Sequence, residues 1–353
     1  MAYFFKLPKI NELNPIQQSA VDSIHPIKVV GGPGTGKSVV SLWRHLRNHS
    51  IGRKRSLLLT YTKTLEAFLA GSALGLNAKQ EFLAGSALGL NVKASENISR
   101  TKYWAANPTQ HYDEIIVDEA QDVNLNYYLT INSHSDNLCY SLDEFQSVFL
   151  TENELKELKN GLKELLPNNK EFFLDKNYRN TYEIINFTKA LFPHRILGEA
   201  NTNGPKPVVL ISNNNTTRYN GLISVIKQFR SENHNIAVFA PKRIEVQQIS
   251  NLLTTANISH SSFVGTDEQV PQIDNVHVTT FKSAKGLEFD TVIIPDFDRM
   301  QNNLINLHIT KESDYFVVLT RSRRNLFLIC SQLPAFLTKS DAQKQTYSVE
   351  NLK

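Results

Sequence analysis

The chain has 353 residues, 41% of them apolar and 20% charged, with a formal net charge of +4. That length exceeds one typical domain, and the composition excludes a disordered, collagenous or disulfide-framed protein. The mild positive charge is compatible with a polyanionic partner without demanding one.

Residues Met1 to Asn14 are interrupted by Lys6, Pro8 and Lys9 and so lack the continuous apolar core of a signal peptide, and no run reaches membrane-spanning length. Cys139 and Cys330 each sit in an apolar strand-like run without zinc-ligand spacing. They read as buried thiols of a cytoplasmic protein. Leu13 to Val21 opens as a short amphipathic helix after Asn14-Pro15. Its Gln17 has an amide able to read an adenine edge, although a surface glutamine is the simpler reading.

Ile27 to Val30 is an apolar strand that runs into Gly31-Gly32-Pro33-Gly34-Thr35-Gly36-Lys37-Ser38. This is the spacing of a phosphate-binding P-loop. The glycines, Gly34 and Gly36 among them, let backbone N–H groups around Thr35 turn toward phosphate oxygens. Lys37 reaches the β- and γ-phosphates, and the Ser38 hydroxyl is placed to ligate Mg²⁺. Val39 to Leu46 continues as a helix whose N-terminus favours the anion.

Ser56 to Thr60 reads as the next strand, ending in Thr60-Tyr61-Thr62-Lys63. Hydroxyls, an aromatic and a lysine at a strand's C-terminal end suit a nucleic-acid backbone and a stacked base. Phe68 to Asn77 recurs word for word at Phe82 to Asn91. This tandem duplication adds about four helical turns, or roughly 21 Å, in phase with the first copy. It reads as a slippage product tolerated in a surface helical hairpin, the other reading being a small-residue segment that packs against a partner. Thr101-Lys102-Tyr103-Trp104 again joins a hydroxyl, a cation and aromatics.

Ile115-Ile116-Val117 delivers Asp118 and Glu119, the Walker B arrangement: the first carboxylate holds Mg²⁺ and the second activates water. Asn137 to Leu142 is a further strand leading to Gln146, placed to sense the γ-phosphate or orient water. Thr151 to Glu154 is a capping box for a charged helix reaching about Leu166.

Strand-like runs of the second half are Phe172 to Leu174, Val208 to Ile211, Ile236 to Phe239, Val276 to Thr279, Val292 to Ile294 and Leu326 to Ile329. Helical patterns cover Tyr182 to Leu191, Leu222 to Arg230 and Ile244 to Ala256. The alternation predicts parallel α/β architecture. Three basic clusters stand behind the P-loop, around Arg179, around Lys282 and Lys285, and at Arg321 to Arg324. Arginines presented by a second domain are the arrangement of an arginine finger supplied in cis.

In this order, from Leu13 to about Ile329, the motifs resemble the superfamily 1 helicases of the UvrD, Rep and PcrA type. The resemblance implies two RecA-like parallel-sheet motor domains in tandem, residues 1–168 and 169–335 with a tail at 336–353, and ATP with Mg²⁺ in the cleft between them. Gln17 matches the glutamine that reads adenine, and Lys37 and Ser38 the P-loop pair. Thr60 to Lys63 match a segment that contacts single-stranded DNA, and Thr101 sits where a second such contact would be. Asp118 and Glu119 match the metal ligand and catalytic base, and Gln146 the residue coupling γ-phosphate to DNA. In Asn177-Tyr178-Arg179 the resemblance gives Tyr178 to adenine stacking and Arg179 to the γ-phosphate. Thr280 to Glu288 match the next motif, with Gly286 at the nucleotide, Glu288 toward the ribose, and Thr280 and Lys282 toward the strand. Arg321 matches the second finger.

Three departures stand out. After Phe149 the chain reads Leu150-Thr151-Glu152, where the family carries a Tyr/Phe-Arg-Gly segment with a DNA-stacking aromatic. Lys282 replaces a histidine. The intervals from Tyr61 to Asp113 and from Arg179 to Thr280 are too short for the family's large accessory insertions. The expected function is an ATP-driven translocase or helicase on single-stranded DNA, with RNA also a candidate. The other reading is an ATP-switched DNA-binding or scaffold subunit with a protein partner in a DNA-processing or anti-phage defence assembly.

Overall fold

The computed structural model describes residues 7–50, 54–75, 93–108, 110–264 and 273–352 of the chain. They form two compact units, Lys6–Asp175 and Lys176–Lys353, each built on its own sheet. Among the described residues no helix is long and apolar enough to cross a membrane.

The first unit holds strands β1 (Ile27–Gly31), β2 (Ser56–Thr60), β3 (Ile98–Arg100), β4 (Glu114–Val117), β5 (Leu138–Leu142) and β6 (Lys170–Leu174). Their spatial order is β3-β2-β4-β5-β1-β6, and the pairings are parallel. Runs such as Leu57-Leu58-Leu59 and Ile115-Ile116-Val117 are buried throughout, as strands covered on both faces by helices must be. The helices are α1 (Pro15–Asp22), α2 (Lys37–Ser50), α3 (Lys63–Gly75), α4 (Thr101–Ala105), α5 (Leu125–Ser133) and α6 (Glu152–Leu165). Tyr128, Ile131, Leu158 and Leu162 of α5 and α6 pack with Leu57, Leu59, Ile115 and Val117 in one core. The P-loop helix α2 lies across β1, β2, β4 and β5, burying Val40, Leu42, Trp43 and Leu46.

An ion pair inside this core ties α2 to the sheet. The Arg44 guanidinium donates from Nε and Nη2 to the two Glu114 oxygens, both at 2.7 Å. It also donates to the carbonyls of Ala20, Ser23 and His25. Both helix starts anticipated from capping residues are formed, Asn14 with Gln17 at α1 and Thr151 with Glu154 at α6.

The second unit has a short ladder of β7 (Lys176–Asn177) with β8 (Glu199–Ala200), and a larger parallel sheet. The larger sheet contains β9 (Val208–Ile211), β10 (Ile236–Ala240), β11 (Ser261–Phe263), β12 (Val276–Thr280), β13 (Phe289–Ile294), β14 (Ser322–Cys330) and β15 (Ser348–Asn351). Its order is β11-β12-β10-β13-β14-β9-β15. Helices α7 (Tyr182–Leu191), α8 (Asn215–Phe229), α9 (Arg243–Thr255), α10 (Glu312–Leu319) and α11 (Asp341–Lys344) complete it. The alternating α/β pattern of the sequence is thus realised as parallel sheets in both units.

Three details differ from the sequence reading. Phe172 to Leu174, read as opening the second half, pairs with β1 in the register Val29↔Phe172 and Gly31↔Leu174, and so belongs to the P-loop sheet. Residues of the expected tail form β15, which pairs with β9 and leaves the Leu352 side chain packed against Gly221. Gln17, read as a surface residue, is only 4% exposed. The second copy of the duplication, Phe82 to Asn91, lies outside the described residues.

Candidate nucleotide-binding site

In a parallel sheet the strand C-termini share one edge, where open α/β folds bind ligands. β1 ends there in the P-loop. Gly34 and Gly36 have φ of 72° and 91°, a region in which a Cβ is strained. A second constraint acts at Gly36, because a Cβ would lie 2.5 Å from Gln17 Nε2. Gln17 itself accepts from the Asn14 amide at 3.0 Å and donates to the Thr35 carbonyl at 3.0 Å. One side chain therefore caps α1 and braces the loop. The Thr35 hydroxyl closes the turn by donating to the Gly32 carbonyl at 2.9 Å.

Lys37 is buried and its ammonium donates to the Gly31 and Gly32 carbonyls at 2.8 and 2.9 Å, with Asp143 at 3.4 Å. Asp143 follows β5 and also accepts from Gln146 Nε2 at 2.5 Å. Gln146, anticipated as a γ-phosphate sensor, is thereby joined to the P-loop lysine through one carboxylate.

Asp118, at the end of β4, is buried beside α2. Its Oδ1 accepts from Ser141 and, at 3.4 Å, from Ser41. Burial and the adjacent Glu119 carboxylate push its carboxyl up, opposed by the Ser141 hydrogen bond, the nearby Ser38 hydroxyl and the Lys37 charge. Its Oδ2 is buried without a hydrogen-bond partner. A carboxylate oxygen of that kind beside the P-loop serine fits a Mg²⁺ ion, which takes one or two protein ligands and completes its shell with phosphate and water. Among the described residues no group of three or more His, Cys, Asp or Glu could hold a metal by itself. Glu119 adopts φ 56°, unusual for a residue with a side chain, and accepts from Gln121 Nε2 at 2.5 Å.

The residues expected at a nucleic-acid strand lie along the same sheet edge in part. Thr60 and Thr101 are buried, and the Thr101 hydroxyl donates to the Thr60 carbonyl at 3.2 Å. Tyr61 is half-buried against Phe149, with ring centroids 4.5 Å apart. Lys63 begins α3. In the second unit Lys282 is exposed after β12, and the Thr280 hydroxyl donates to Ser283 at 3.0 Å.

Other residues singled out in the second unit form a separate constellation. Arg179 Nε donates to Glu288 at 2.7 Å, so the two are charge partners. Tyr178 beside them is 43% exposed, and Gly286 has φ 87°. Arg321 is 1% exposed, donating to the carbonyls of Val317 at 3.1 Å and Leu287 at 3.3 Å. A buried guanidinium on backbone carbonyls braces the segment around Gly286.

Three polar residues of these sites carried no role in the sequence reading. Gln121 bridges Glu119 to the Asp143 amide, which donates to its Oε1 at 3.0 Å. Asp143 links Lys37 to Gln146. Asn180 donates to the carbonyls of Thr320 and Ser322, holding the Asn177–Arg179 turn to the residues flanking Arg321. Only Asn180 had a usable signal, as the residue that follows Asn177-Tyr178-Arg179.

No protein-family model matches the chain. Over 249 residues it is 27% identical to a protein of Acanthamoeba polyphaga mimivirus named "putative ATP-dependent DNA helicase", covering 62% of this chain and 34% of that protein. The chain thus spans about a third of the relative's length. Among solved structures, the C-terminal domain of a possible DNA helicase from Lactobacillus plantarum WCFS1 is 21% identical with TM-score 0.39, covering 49% of this chain and 98% of that one. The helicase nonstructural protein 10 of an arterivirus is 14% identical with TM-score 0.43, covering 89% and 61%. At those scores the description of the fold rests on the two sheets themselves, and the chain's sequence similarity is to a protein named as a DNA helicase.

Proposed function

We propose that the chain is an ATP-hydrolysing motor of helicase type, of the UvrD-like superfamily 1 pattern, acting on single-stranded DNA. The observation that carries this reading is the meeting of Lys37, Ser38, Asp118 and Glu119 at the C-terminal ends of β1 and β4, with Asp118 Oδ2 buried and unpartnered. Ser38 and Asp118 would hold Mg²⁺, which neutralises phosphate charge when bound. The backbone N–H groups of Gly34 to Lys37 take the phosphates, and the Lys37 ammonium has its charge on the same loop. Glu119, aimed by Gln121, removes the proton from the attacking water. Gln146 reports the state of the phosphate through Asp143.

By motif resemblance, Gln17 and Tyr178 are assigned to adenine, Gly286 and Glu288 to the ribose side, and Arg179 and Arg321 to charge stabilisation during hydrolysis. Tyr61, Lys63, Thr280 and Lys282, with the buried Thr60 and Thr101 shaping the strand ends, are assigned to the nucleic acid. The nucleotide half is tested by the Lys37→Ala protein. It should still fold, with a lowered thermal midpoint because the Gly31 and Gly32 carbonyls and the Asp143 carboxylate lose their buried donor, and show no ATP turnover above background. Retained turnover would overturn the assignment.

A further inference from the structure

The first unit carries an aromatic residue that neither the motif assignments nor its core explains. Tyr103, in α4, is 71% exposed. The guanidinium carbon of Arg100 lies 5.5 Å from its ring centroid. Arg100 is fixed in turn, since its Nε donates to Glu66 at 3.2 Å and its backbone amide to the same carboxylate at 3.1 Å. Glu66, Arg100 and Tyr103 thus form a short stack in which the cation covers one face of the ring. The high exposure leaves the remainder of the ring to solvent.

The position matters as much as the stack. β3 is the edge strand of the sheet, and Arg100 pairs in register with Thr60 of β2. The Thr101 hydroxyl ties the two strand ends together. Tyr61 follows Thr60 directly and packs on Phe149, which lies beyond β5. Aromatic rings therefore stand at one edge of the sheet, after β3, after β2 and beyond β5, with exposed Lys102 beside the outermost. Rings along one edge, the outermost with cations beside it, suit single-stranded nucleic acid, whose bases stack on aromatics while its phosphates meet positive charge.

We propose that the Arg100–Tyr103 pair is an additional base-stacking platform for single-stranded nucleic acid, outward of Tyr61 along the sheet edge. The proposal rests on the nucleic-acid half of the function given above. Single exposed apolar side chains are common on protein surfaces, so exposure alone would not carry it. What carries it is a ring pre-positioned on a cation that is itself held by a carboxylate, at a strand end locked to Thr60. Pre-organisation of this kind lowers the ordering cost of binding.

The test is fluorescence anisotropy of the full chain with labelled oligo-dT and oligo-U at one fixed salt concentration. Tyr103→Ala should weaken binding by about 5-fold or more, the scale of a lost base–aromatic stack, and Tyr103→Phe should bind like the wild type. Leu129→Ala, a change at another exposed apolar residue of the unit, should leave affinity as it was. The salt dependence for Tyr103→Ala should keep the wild-type slope, because no phosphate contact is removed. A Tyr103→Ala protein binding within 2-fold of a wild type that does bind would overturn this proposal alone. A wild type that binds neither oligonucleotide would overturn the nucleic-acid reading and this proposal with it.

Discussion

Replacing Glu114 by glutamine should destabilise the P-loop unit severely without touching any phosphate-binding group. Glu114 and Arg44 are each 1% exposed. Glu114 Oε1 accepts from Arg44 Nε and from Asn48 Nδ2, both at 2.7 Å, and Oε2 accepts from Arg44 Nη2 at 2.7 Å. Glutamine keeps the shape but removes the charge, and wherever its NH₂ sits it faces a donor. Arg44 would retain three backbone carbonyls, which satisfy protons without neutralising the cation. Removing one partner of a buried pair costs about 3–5 kcal/mol. For a unit of this size, each kcal/mol moves the thermal midpoint by about 2–4 °C, so a fall of roughly 6–20 °C is expected. Differential scanning calorimetry of Glu114→Gln against wild type reads it directly. A change below about 1 kcal/mol would refute the reasoning, showing that carbonyl contacts alone suffice for a buried guanidinium.

Two further outcomes are expected. His45 is buried, its Nε2 donating to the Ala94 carbonyl at 2.9 Å and its Nδ1 bonded to Ser56 at 3.0 Å, and burial lowers its pKa to about 3. The folded state therefore holds neutral imidazole, while the unfolded chain takes up a proton below about 6.5. This stability is complete above that pH and is lost as pH falls toward about 3. His277 adds a loss of the same sign in the second unit, its pKa lowered by burial to about 4. Urea unfolding between pH 7.5 and 5 should show the decline, and His45→Gln should make it shallower. Separately, Gly36→Ala combines a φ of 91° with a Cβ 2.5 Å from Gln17 Nε2. It should cost about 1–3 kcal/mol and abolish ATP binding by calorimetry, because the loop must move off its brace.

Some features of the site could be read from residue order because they encode local backbone demands. The P-loop is one: its glycines answer positive φ at Gly34 and Gly36, and its flanking strand and helix are contiguous in sequence. Asp118 and Glu119 are another, since an apolar strand ending in adjacent acids places them at a sheet edge. What escaped depends on partners distant in the chain. Gln17 braces a carbonyl 18 residues away, Gln121 binds an amide 22 residues away, and Asn180 reaches a carbonyl 140 residues away. An apolar run such as Phe172 to Leu174 announces a strand but not its sheet, which is decided by pairing with β1. The three-residue β3 is too short to show alternation, yet it forms the edge that carries Arg100.

The central claim is that the P-loop site turns over ATP in response to a nucleic-acid strand. The most direct measurement is the steady-state ATP turnover of the full chain with Mg²⁺, alone and with single-stranded DNA or RNA. The account predicts turnover that rises with added single-stranded DNA and is absent from the Lys37→Ala protein under both conditions. Turnover unchanged by either nucleic acid, or turnover that survives loss of the Lys37 ammonium, would contradict it.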